Sequence, residues 1–169
     1  MANVKTFLAL TTFFAVFLMF SGAVSAANVT INPGDSIQSA IDNASDNDTI
    51  IVNDNNGSAY TYTENVVINK TVSLKAKTGG NVTVQARNSS RPVFTVTSLG
   101  NGTTIQGFTI IGAANSNGIY LNGASNCIIT GNTVINNTNG LYLLSSNNNE
   151  IQGNNLTNTY GIVFFWFKL

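Results

Sequence analysis

The chain has 169 residues, enough for one domain, and pairs a 43% hydrophobic content with only 8% charged residues. Seven Lys and Arg against seven Asp and Glu leave no basic excess with which to hold nucleic acid. With no His, one Cys and two Met, soft-metal and imidazole chemistry have few donors to draw on. Solubility must come from Asn, Thr, Ser and Gly, which crowd every segment after Ala27 and suit turns and exposed strand faces better than helices. The expected fold class is therefore all-β.

Residues 1–26 read as a secretory signal peptide: Lys5 near the start, an apolar run from Phe7 to Phe20, and Val24-Ser25-Ala26 as a small-x-small cleavage site. The apolar run falls short of the ~20 residues that span a bilayer, which favours cleavage near Ala27 over an uncleaved anchor and leaves no stable membrane span. Without Lys5, six Lys and Arg face seven Asp and Glu. Residues 27–48 are expected to form an N-terminal cap. Within it, Ile37, Ala40, Ile41 and Ala44 fall on one face of a short helix, with Asp35 as N-cap, placed to cover the open apolar end of the β-structure C-terminal to it.

Residues 49–164 read as stacked coils. The first strands are predicted at Thr49–Val52, Val66–Ile68, Val72–Leu74, Val82–Val84 and Val93–Val96. Farther on, Asn117–Thr138 aligns without gaps to Asn139–Tyr160, a period of 22 residues. Gly118 matches Gly140, Tyr120 matches Tyr142, Ile129 matches Ile151, and Asn132 matches Asn154. A third copy starts at Gly161-Ile162-Val163-Phe164, and an earlier one is visible at Ile105–Ile110. Short alternating apolar pairs such as Ile119/Leu121, separated by Gly, Asn and Ser, mark brief strands joined by tight turns. One repeat cannot bury its apolar side alone. Stacking repeats ~4.8 Å apart buries that side and pairs the backbone, while Asn amides can form ladders from coil to coil. The apolar tail, residues 165–169, breaks the pattern and is expected to mark a truncated reading frame, with a cap over the last coil as the competing view.

The runs GDSIQSAIDNASDNDTIIV, YTENVVINKTVSL, GFTIIG, NGIYL and GNTVINN resemble the right-handed parallel β-helix proteins of the pectate-lyase-like superfamily, closest to the adhesin-like surface proteins of methanogenic archaea. The resemblance spans about Asn28 to Ile162. It implies a right-handed parallel β-helix solenoid with one N-terminal capping helix after a signal peptide. It is poor in functional information, because lyases, hydrolases, epimerases, copper-maturation proteins and non-enzymatic surface proteins share this scaffold.

Each of these chemistries demands its own set of side chains. A glycoside hydrolase needs converging carboxylates, yet from Arg91 onward Glu150 stands alone, and Asp35, Asp42, Asp46, Asp48 and Asp54 are explained by caps and turns. A polysaccharide lyase would use Arg87 or Arg91, which flank a polar loop without a Ca²⁺-binding acidic cluster. Copper handling lacks ligands, and Cys127 reads as a buried small apolar residue. Catalytic residues, metal sites and cofactors are accordingly all expected to be none. One aromatic feature repeats: with Ile119 and Leu121 inward, Tyr120 points outward and Tyr142 stands over it, either a stabilising pair or a small sugar-binding platform. Ten Asn-x-Ser/Thr sequons are present, and Asn56 and Asn101, in Gly-containing turns, are the best candidates for N-glycosylation. The sequence thus points to a non-enzymatic secreted or cell-surface adhesin-like β-helix protein, a fragment of a longer one, whose partners are cell-envelope or host surface glycans. The alternative is a carbohydrate-active or carbohydrate-binding β-helix domain lacking its catalytic coils.

Overall fold

A computed structural model describes residues 25–165. The expected signal peptide lies almost wholly outside the described residues, as do residues 166–169 of the apolar tail. In chain order the elements are β1 (Asn28–Ile31), α1 (Ile37–Asn43), β2 (Thr49–Val52), β3 (Tyr60–Thr63), β4 (Val66–Ile68), β5 (Ser73–Ala76), β6 (Val82–Gln85) and β7 (Phe94–Thr97). Next come β8 (Thr104–Gln106), β9 (Thr109–Ile111), β10 (Asn117–Asn122), β11 (Ile128–Thr130), β12 (Thr133–Ile135), β13 (Asn139–Leu144), β14 (Glu150–Gln152), β15 (Asn155–Thr157) and β16 (Tyr160–Phe165).

The strands assemble into three parallel sheets, each visited once per turn, making a β-solenoid. The first sheet runs β1-β2-β5-β8-β11-β14, the second β4-β7-β10-β13-β16, and the third β3-β6-β9-β12-β15. Three-residue strands would be marginal alone, but here every strand pairs along its length with the coil before or after it. Inward residues stack in register: Ile50, Leu74, Ile105 and Ile129 in the first sheet, Phe94, Ile119 and Leu141 in the second, all fully buried. Each large aliphatic side chain so buried contributes about 1.5–3 kcal/mol. Phe94 and Phe108 meet across the core with ring centroids 5.8 Å apart. On β16, Ile162 and Phe164 continue the inward rows but are 40% and 54% exposed.

The 22-residue spacing holds for the coils around β11 to β14 and not upstream, where Ser73 pairs with Thr104 across a longer coil. Turns and the loop around Arg87–Pro92 take up the extra residues. β1, within residues 27–48, pairs with β2 as the first strand of the first sheet, and β3 had no predicted counterpart. Two further expectations are corrected. Residues Val72–Leu74 shift to Ser73–Ala76. The N-cap of α1 is Ser36, whose hydroxyl accepts from Ser39 N–H at 3.2 Å; Asp35 instead accepts from Asn32 N–H at 2.7 Å and closes the preceding turn. The helix itself packs Ile37 and Ile41, both fully buried, against the first coil. No helix among the described residues is long and apolar enough to cross a membrane.

Candidate functional site

Alternation along β10 and β13 buries Ile119, Leu121, Leu141 and Leu143 and turns Tyr120 and Tyr142 outward. The parallel register sets the two tyrosines side by side, flanked by Thr95 on β7 and Val163 on β16. Their ring centroids lie 5.6 Å apart at 70°, an edge-to-face pair offering one ring face beside the rim of the other. Both are half-buried, and desolvation, then the neighbouring Tyr142, pushes the Tyr120 phenol above its ordinary value. Asn139 Nδ2 donates to Asn117 Oδ1 at 2.6 Å along the same sheet edge.

Most of the acidic side chains are committed elsewhere. Asp48 accepts from Ala27 and Ser45 N–H at 2.7 and 2.8 Å, Asp46 from Thr71 N–H at 2.9 Å, and Asp54 from Gly57 N–H at 3.1 Å. These bonds hold Asp48 and Asp54 below the ordinary carboxylate range, against the opposing effect of burial. Glu64, which sequence reasoning passed over, accepts from Ile37 and Gln38 N–H and from the Ser36 hydroxyl at 2.9–3.0 Å. Arg87 and Arg91 are exposed, and the Arg87 guanidinium donates to Thr63 O at 3.2 Å. Cys127 is fully buried, its Sγ 3.7 Å from the carbonyl oxygens of Gly100 and Ser125, and burial pushes its thiol up.

The two sequon asparagines differ. Asn56 sits exposed at the tip of the turn closed by Asn55 and Ser58, and its sequon Ser58 is exposed as well. Asn101 is exposed, but its Oδ1 accepts from Ser125 N–H at 2.7 Å and its sequon Thr103 is fully buried, donating to Lys70 O at 3.2 Å.

A family model described as periplasmic copper-binding protein (NosD) matches residues 15–166. A cell surface glycoprotein of Methanothermus fervidus is 37% identical over 127 residues, covering 72% of this chain and 20% of that protein. The chain thus spans about a fifth of the length of that relative. No solved structure matches. The donors present do not fit the copper of the family description. The sequence has no His, the one Cys is sealed in the core, and no group of three or more Cys, Asp or Glu side chains converges among the described residues.

Proposed function

The chain belongs to the NosD family, and from that premise we propose that it is a non-enzymatic, secreted or cell-surface β-helix protein with an adhesin-like role. Tyr120 and Tyr142 are its contact with envelope or host surface glycans. The periplasmic description of the family and the name of the Methanothermus relative support an extracellular or surface setting. The register that sets Tyr120 beside Tyr142 on an outward face carries the contact role, since an aromatic ring with a hydroxyl rim gives a sugar both an apolar face and a hydrogen-bonding partner. Commitment of Asp48, Asp54 and Glu64 to backbone donors supports the non-enzymatic part. Incubation with a panel of envelope and plant polysaccharides tests the reading. Retention of intact polysaccharide is the expected outcome; accumulation of shortened chains or unsaturated ends would overturn it.

The proposed N-glycosylation divides between the two candidate sites. Asn56 is open to modification in the folded protein, whereas Asn101 requires modification before Thr103 is buried. Glycopeptide mapping of protein from its native host is expected to find Asn56 more fully occupied than Asn101, and the reverse order would contradict this.

A further inference from the structure

The first sheet carries, on a face separate from the tyrosine pair, a cleft of about 550 Å³, within the roughly 300–1,000 Å³ typical of small-ligand sites. Its floor is an outward row in which Ile51 on β2 pairs with Lys75 on β5, and Lys75 with Gln106 on β8; Thr49 lies beside Ile51. One wall is the turn Lys77–Gly80.

That wall is held in place by a buried carboxylate. Asp54, 3% exposed, accepts from Lys77 Nζ at 3.4 Å and from Asn81 N–H at 3.4 Å, while Gly80 N–H donates to Lys77 O at 2.8 Å. A Cβ on Gly80 would stand 2.9 Å from Lys77 O and 3.2 Å from the Asp54 carboxylate, so glycine is what lets the turn close against its anchor.

The cleft's charge is unbalanced. Asp54 offsets Lys77, the one ion pair among the described residues, but Lys75 has no hydrogen-bond or ion-pair partner there. The side chains of Thr49, Thr78 and Gln106 are likewise without one. This stands out in a fold whose corner Asn and Ser side chains bond from coil to coil. The ammonium of Lys75, a half-buried residue, with two hydroxyls, a carboxamide and the apolar surface of Ile51 and Ala76, favours an anionic group on a body with hydroxyls.

We propose that this cleft binds an oxyanion, a carboxylate or sulfate, carried on a small hydroxylated ligand, with Lys75 as its charge partner and Gln106 and Thr49 as hydrogen-bonding neighbours.

Amide chemical shifts of the full chain, titrated with glucuronate, glucose and inorganic sulfate, test the proposal. Glucuronate is expected to shift Thr49, Lys75, Gly79, Gly80 and Gln106 as one cluster. Lys75→Met is expected to weaken that binding by roughly tenfold or more, the range for losing a charge-assisted hydrogen bond, and Arg87→Met to leave it unchanged. Because Lys75 has no partner, Lys75→Met should keep the fold, which the same spectra report. Added salt on the unaltered protein, weakening glucuronate binding, gives a second readout independent of any variant. Sulfate binding as tightly as glucuronate would support the site with a free oxyanion as ligand, and tighter glucuronate binding would support a sugar-borne one. Glucose binding as tightly as glucuronate, shifts elsewhere or none, or undiminished binding by Lys75→Met would overturn the proposal.

Discussion

Asn132 carries a corner of the solenoid on one side chain. Its Oδ1 accepts from Phe108 N–H at 3.0 Å, and its Nδ2 donates to Ile105 O and to Asn154 Oδ1, both at 3.0 Å; Asn154 repeats the arrangement one coil later with Ile129 O. Asn132→Ala would strand a buried N–H and a buried carbonyl, an expected loss of about 3 kcal/mol in chemical denaturation, and an unchanged midpoint would refute the bracket. This residue was legible, because Asn132 and Asn154 recur at the repeat period and an amide ladder follows. The reason for Gly118 was not. A Cβ there would meet the Val134 side chain and stand 2.8 Å from Gly140 O, a contact between coils that no local pattern reveals. Titration also acts at single residues. Asp48 and Asp54, held below the ordinary value of 3.8, contribute stability that is present above that pH and is lost as pH falls through their lower folded values. Tyr62, buried with its hydroxyl donating to Asn53 O at 2.8 Å, is pushed up from 10.0 to about 12, chiefly by desolvation. Its contribution is present below pH 10 and fades as pH rises toward 12. Melting temperatures across pH should therefore fall at both extremes, and a flat profile at either end would contradict the assignment there.

Among the elements, α1 shows where local reading stops. The spacing of Ile37, Ala40, Ile41 and Ala44 sufficed to place the helix and its buried face. Beyond the local Ser36 cap, its charged terminal partners come from the next coil and were invisible to that spacing. Glu64 accepts from the first-turn N–H groups of Ile37 and Gln38, and Lys70 Nζ donates to Asp42 O in the last turn and to Ala44 O at the C-cap, at 3.0 and 2.8 Å. The two charges complement the helix dipole at its two ends. Glu64→Ala should cost about 2–4 kcal/mol, since it removes a buried acceptor shared by three donors. Lys70→Met should cost under about 1 kcal/mol, because its end of the helix is more exposed. Equal losses from the two variants in denaturant titrations would contradict this asymmetry. The missed strands share a physical cause. β1 and β3 are defined by pairing with β2 and β6, and in β3 only Tyr62 points fully inward, so the alternation that betrays other strands is faint.

Across the whole molecule, the late coils keep a spacing of 21 or 22 residues, their corners closed by the same Asn and Ser brackets, and this regularity made the solenoid readable. The longer early coils hide the period yet build the cleft wall and the anchored turn, features that depend on Asp54 meeting residues from the following coil. The outward Tyr120–Tyr142 pair was readable as a juxtaposition, whereas its edge-to-face geometry required the folded backbone. Surface contact through these rings is the centre of the proposed function. Its most direct test is quantitative binding of the purified chain and its Tyr120→Ala/Tyr142→Ala variant to immobilised cell-envelope polysaccharide, with far-ultraviolet circular dichroism confirming a common fold. The expected result is binding by the unaltered chain and a loss of about tenfold or more in the double variant; equal binding by the two would contradict it.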